Sequence, residues 1–131
     1  MNLCIEHVNI NELKPYKCNP RKHPKKQLER LEKSIDQFGY KSPIVINSDN
    51  VVLSGNARVE VAKAKGWKTI PCIRVQNMSA EDELAYVIAD NQIGLLASWD
   101  DEILSQALEQ LKDPVLNFDI EFVRRQDFWN H

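Results

Sequence analysis

Val52-Leu-Ser-Gly-Asn-Ala-Arg58 is the stretch on which the reading of this 131-residue chain turns. Val51 to Leu53 is a short β-type run, Ser54-Gly55-Asn56 is a turn of small residues, and Ala57 to Lys65 has helix composition ended by Gly66. A strand that passes through a glycine turn into a helix leaves several backbone N–H groups without acceptors and aimed at one spot. Those donors, the helix dipole and the Arg58 cation together make an anion site suited to phosphate. Gly55 lets the backbone approach a ligand with no Cβ in the way. The plainer alternative is an ordinary strand-to-helix turn capped by Asn56, with Arg58 on the surface. On this segment's own residues the plainer reading has the advantage.

Working outward, Pro43-Ile-Val-Ile46 precedes the polar quartet Asn47-Ser-Asp-Asn50, so it and Val51–Leu53 read as a hairpin. Before it, Leu28, Leu31, Ile35 and Phe38 fall 3, 4 and 3 residues apart, one apolar helical stripe, and Gly39 stands where a left-handed cap would end it. Leu13 to Pro24 holds three prolines and reads as an extended, loop-like entry. A third strand is expected at Thr69 to Val75. Strand, glycine turn, helix and strand in that order predict a right-handed crossover. Ser79 with Asp82 has capping-box spacing and opens a helix to about Leu96. Ser98-Trp-Asp-Asp101 repeats the spacing and opens another, with Ile103, Leu104, Ala107, Leu108 and Leu111 on one face and Pro114 just after. The fold class expected is α/β (α+β), a small mixed sheet covered by helices with a helical C-terminal part. Residues 1–113 form the expected domain; residues 114–131, with Phe118, Phe122, Phe128 and Trp129, form a docked or partner-binding tail.

Composition bounds the rest. An apolar fraction of 43% with 27% charged residues describes a chain that folds, and its length suits one core. No run approaches the roughly 18 apolar residues of a membrane helix. Met1 to Asn9 lack a signal-peptide pattern, and the three cysteines are odd in number and widely spaced; together these suit a reduced cytoplasm. No Cys-x-x-Cys pair is present, and His7, His23 and His131 are too scattered for a ligand set. The net charge of -2 conceals polarity: Lys14 to Lys41 holds nine Lys/Arg against three acids, and Met78 to His131 holds three against twelve. A basic patch suits the phosphates of DNA, and Lys22, Lys25, Lys26 and Arg30 are the candidates for backbone contacts. A solvated basic face explains them as well.

Two further polar clusters accompany the glycine turn. Asn19-Pro20-Arg21 places an amide and a guanidinium on either side of a rigid proline. Asp90-Asn91-Gln92 interrupts the apolar stretch Leu84 to Leu96, where Asp and Asn are poor helix residues. An acid beside an amide suits a hydrated magnesium ion that also takes phosphate oxygens. Cys72 reads as core within a buried strand and Trp67 as packing rather than base stacking.

The order of these segments resembles the ParB/sulfiredoxin-like domain, especially the ParB-like nuclease domains found alone in phages or fused to DNA methylases. The resemblance spans Val8 to Leu111. It rests on Asn19-Pro20-Arg21, the helix Leu28 to Phe38 with Gly39, Pro43-Ile-Val-Ile46, Ser54-Gly-Asn-Ala-Arg58 with Ala62-Lys63 and Gly66, Ile70-Pro71, and Ile88-Ala-Asp-Asn91 followed by Trp99-Asp100. It implies a nucleotide-binding, DNA-associated module for ATP or CTP with magnesium. Ser54, Gly55, Asn56, Ala57 and Arg58 would cradle the phosphates, Asn19 and Arg21 would close over them, and Asn91 with Asp90 would hold the metal. If turnover occurs, Asp90 is the catalytic candidate, for triphosphate hydrolysis or for a nuclease reaction. The family's Gly-Glu-Arg-Arg turn is matched only at Gly55 and Arg58, Asn56 and Ala57 replacing the Glu and the first Arg. Asp90 and Asn91 align with a family Glu-Asn pair. Sulfiredoxins carry a nucleophilic cysteine in this turn, where Asn56 stands, so sulfiredoxin activity is not expected. Partition proteins of the family carry further DNA-binding and dimer domains, for which 131 residues leave no room, so sequence-specific partition is not expected of this chain alone. The implied partners are nucleotide, DNA, a DNA-modification protein or a second copy in a homodimer, and no membrane. The rival function is a non-catalytic adaptor or regulator of a DNA-modification or phage protein, acting through its acidic helices.

Overall fold

The computed structural model describes residues 3–17, 25–96, 98 and 100–110, with the backbone alone for 91–96. Short aliphatic runs form five strands: β1 (Ile5–Asn9), β2 (Lys14–Pro15), β3 (Ile44–Ile46), β4 (Val51–Ser54) and β5 (Thr69–Arg74). They make one mixed sheet in the order β1-β5-β3-β4-β2. β1 lies antiparallel to β5, β5 parallel to β3, β3 antiparallel to β4, and β4 parallel to β2. The helices are α1 (Lys25–Phe38), α2 (Asn56–Ala64), α3 (Ala80–Leu96) and α4 (Asp101–Gln110). The α+β reading and the β3–β4 hairpin stand as expected.

The expected crossover does not. β4 and β5 run in opposite directions with β3 between them, because the hairpin reverses the chain before α2 begins. β5 therefore starts at the end of the sheet where β4 stops, and α2 bridges two strand spacings, about 10 Å. Its nine residues span about 13 Å, enough for that step. The parallel pair is β3 and β5.

The core is the buried face of this sheet: Ile44, Ile46, Ile70 and Cys72 are fully inaccessible, and Val59 and Ala62 of α2 close over them. Tyr40 and Trp67 pack at its margin with their rings edge to face, centroids 5.4 Å apart. Trp67 packs here, as expected, but it is only half-buried and also lines a cleft at the far end of α2. On α1, Ile35 is buried and Leu28 and Leu31 half-buried, but Phe38 is 50% exposed. The stripe holds its period while its last residue overhangs the end of the helix. There Gly39 (φ +83°) donates its N–H to Ile35 O at 2.9 Å and closes the cap.

Asn47 locks the hairpin. Its carboxamide oxygen accepts from the N–H groups of Asp49 and Val51, both at 2.9 Å, while Nδ2 donates to the Glu83 carboxylate at 2.9 and 3.2 Å. One buried side chain thus fixes the turn and ties it to the first turn of α3. Arg74 donates through Nη1 to Asn47 O at 2.8 Å and through Nη2 to Glu6 at 2.8 Å, joining β1 to the same corner. The Arg74 hydrogen bond holds the Glu6 carboxyl below its usual range.

Ser79 caps α3 as expected, accepting from Asp82 N–H at 3.1 Å. The cap of α4 is Asp100 rather than Ser98: its Oδ1 accepts from Ile103 N–H at 3.1 Å. Either residue type serves, and the one three positions before a free N–H wins. On α4 only Leu104 is buried; Leu108 is half-buried and Ile103 is 65% exposed. Leu111 and the 114–131 tail lie outside the described residues.

Burial raises the Cys72 thiol to about 11 and the Tyr40 phenol to about 12. Both groups are held neutral in the folded protein and ionise more readily when it unfolds. Their contribution is intact below about pH 9, the unfolded thiol's value, and is lost as pH climbs toward 11 and 12. Urea midpoints are therefore expected to hold from pH 7 to 8.5 and fall progressively above pH 9.

Candidate functional site

The turn at the end of β4 is shaped for glycine twice over. Gly55 has φ +102°, and a Cβ there would sit 2.5 Å from Ile44 Cδ1 in the core beneath and 3.3 Å from Arg58 Nη1. Gly55 is also the N-cap of α2, with no side-chain capping bond. The N–H groups of Asn56, Ala57 and Arg58 open the helix, one turn too early to find acceptors within it. Asn56 does not cap: its Nδ2 reaches back to Val52 O at 3.4 Å, fastening turn to strand. Ala57, half-buried, brings to the site its backbone donor.

Arg58 decides the electrostatics. Its guanidinium folds back over Gly55, into space that a side chain would fill, and makes no hydrogen bond or ion pair to any described residue. It also lines a cleft of about 230 Å³ with Leu31, Phe38, Tyr40, Lys41 and Ser42, between the end of α1 and β3. The Tyr40 hydroxyl is buried without a hydrogen-bond partner, and its main perturbation, burial, is opposed by the Arg58 charge. A cation unpaired among the described residues, beside free helix-end amides, gives the turn the chemistry that suits an anion.

The second cluster arrives from α3. Ser54 Oγ donates to Asp90 Oδ2 at 3.2 Å, so the acid expected to handle metal stands at the edge of the glycine turn. Asn91 follows it on the same helix, with its side chain outside the description. Among the described residues no three His, Cys, Asp or Glu side chains gather, so a cation here would draw on Asp90 and on oxygens brought by its ligand. Asn19, Arg21 and Lys22 lie outside the described residues. Lys25 and Lys26 are exposed at the start of α1; Arg30 is half-buried and has an interaction partner, which makes it the weaker DNA candidate. Cys72 is fully buried, as expected of core rather than a nucleophile.

Sequence reasoning missed Ile44 as the wall behind Gly55 and the Phe38–Ser42 side of the cleft. The hydrophobic patterning marked both only as core or turn, because nothing in it indicates which strand backs a given glycine.

The chain belongs to the ParB N-terminal domain family, whose model matches residues 2–92. It is similar to the ParB-like nuclease domain-containing protein YnaK of Escherichia coli K12, 31% identical over 81 residues that cover 62% of this chain and 93% of that protein. It is also similar to a probable chromosome-partitioning protein ParB of Rickettsia bellii, 27% identical over 88 residues that cover 66% of this chain and 30% of that protein. Among solved structures it resembles C-terminally truncated ParB of Caulobacter crescentus complexed with CTP-γ-S, with TM-score 0.67 and 20% identity over 98% of this chain and 72% of that one. Sulfiredoxin of Arabidopsis thaliana shares the fold at TM-score 0.50 and 22% identity, over 65% of this chain and 97% of that one. The family read from the ordered motifs is therefore the family found. No helix among the described residues is long and apolar enough to cross a membrane.

Proposed function

We propose that this chain is a nucleotide-binding ParB-like domain that seats a nucleoside triphosphate on the Ser54–Arg58 turn. The observation that carries the reading is the Arg58 guanidinium, unpaired among the described residues and folded over a glycine that no other residue could replace without clash. The phosphates take the α2 amides and Arg58; the nucleoside lies in the adjoining cleft against Leu31 and Phe38. That the Caulobacter neighbour carries CTP-γ-S favours CTP over ATP. Asn19 and Arg21, which precede α1 in the chain, close over the ligand. Asp90 and Asn91 would hold magnesium, which would supply neutralisation of the phosphate charge, and Asp90 would orient water for phosphoryl transfer. DNA association rests on Lys22, Lys25 and Lys26 at the basic end of the chain.

Isothermal titration with CTP and ATP, each with and without magnesium, tests the reading. Saturable heat is expected for CTP, stronger with the metal, and its absence for both nucleotides would overturn the proposal. If the bound triphosphate turns over, phosphate release is expected to vanish in Asp90→Ala protein, with the magnesium-dependent gain in affinity lost and the metal-free binding retained.

A further inference from the structure

At the opposite end of α2 lies a second cleft, of about 630 Å³, lined by Asn9, Asn11, Lys63, Gly66, Trp67 and Lys68. Its polar groups are mostly donors. The ammonium groups of Lys63 and Lys68 have no ion pair or hydrogen bond among the described residues, whereas that of neighbouring Lys65 is paired with Asp36. The Asn9 carboxamide oxygen is taken by Asn11 N–H at 2.9 Å, which leaves its NH₂ group to the cleft. Space above the bend is open: a Cβ on Gly66 would meet no atom within 4 Å. The carbonyl end of α2 accounts for one cation in the last helical turn, Lys63. It does not account for Lys68, which lies beyond the helix in the approach to β5.

We propose that this cleft binds a segment of single-stranded nucleic acid, with phosphates on Lys63 and Lys68, base edges on Asn9 and Asn11, and a base against Trp67. A lone phosphate would leave most of the volume empty, and an apolar ligand would leave two ammonium groups facing it. Cations beside an indole are the combination that single strands use, since every base offers a π-face while the backbone offers charge. The inference extends the DNA-associated reading to a different surface from Lys25 and Lys26, and it uses no residue of the phosphate turn.

The test is fluorescence anisotropy of a labelled 12-nucleotide mixed-sequence single strand and of its duplex, across a salt series. The proteins compared are wild type, Lys63→Ala/Lys68→Ala and Lys25→Ala/Lys26→Ala, each checked by thermal melting. The Lys63/Lys68 variant is expected to bind the single strand at least tenfold more weakly, with a log–log salt slope smaller by about 1.4, two contacts at about 0.7 each. Asn11→Asp, which puts a charge in the cleft without disturbing the core, is expected to weaken binding in the same direction. Unchanged affinity and slope in the Lys63/Lys68 variant, with a loss only in the Lys25/Lys26 variant, would overturn this site and leave DNA association standing. Equal preference for the duplex would overturn the single-strand assignment, and no binding by wild type would overturn both.

Discussion

Arg58→Ala protein is expected to bind a nucleoside triphosphate about ten- to a hundredfold more weakly than wild type in isothermal titration, and to melt within about 2 °C of it. The first half follows from charge. Hydrogen bonds to charged groups contribute about 1.5–3 kcal/mol, and each 1.4 kcal/mol is a factor of ten in affinity. The second half follows from the free protein, where Arg58 has no hydrogen bond or ion pair among the described residues to lose. Arg58→Lys keeps the charge and loses the planar fork, so it is expected to recover only part of the affinity. A large fall in melting temperature, or unchanged binding, would remove Arg58 from the site.

Gly55→Ala carries the largest stability effect expected of any single methyl group here. The new Cβ needs the space of Ile44 Cδ1, 2.5 Å away, and Ile44 is a fully inaccessible core residue whose side chain has nowhere to go. Backbone strain at φ +102° adds to the overpacking, for a cost of about 2–4 kcal/mol. For a domain of this size that lowers the melting temperature by about 10 °C. Gly66→Ala is the control: it shares a positive φ (+78°) but meets no atom, so only the backbone cost of about 1 kcal/mol applies. Adding Ile44→Val to Gly55→Ala is expected to recover part of the loss, because one wall of the clash is then shorter. Equal melting of the two glycine variants would show that the wall does not matter.

These two residues illustrate different legibility. Arg58 and Gly55 are visible in the chain because strand, glycine, helix and cation are neighbours in order, and local order survives in any fold. Ser54 and Asp90 are separated by 36 positions, and their 3.2 Å hydrogen bond exists only because α3 crosses the end of β4. Asn56 read as a cap on its residue type, yet the glycine before it holds that position and the carboxamide turns back to Val52. The crossover failed for a similar reason: β4-α2-β5 gives element order, whereas direction within the sheet depends on the hairpin before it.

What the chain's own order sufficed to establish was the family, the class of fold, the hairpin, the Gly39 end of α1, the Ser79 cap of α3, and the strand–glycine–helix turn at Ser54–Arg58. The local elements among these depend on residues a few positions apart, where backbone geometry and capping chemistry act directly, and the family and fold class follow from the order of such segments along the chain. Tertiary packing alone decided that Ile44 walls the turn, that the Arg58 guanidinium folds over it with no pair among the described residues, that Asp90 meets Ser54, and that two lysines at the far end of α2 share a cleft with Trp67. Those outcomes depend on which surfaces the core brings together, and burial is settled by the whole chain at once rather than by any segment of it.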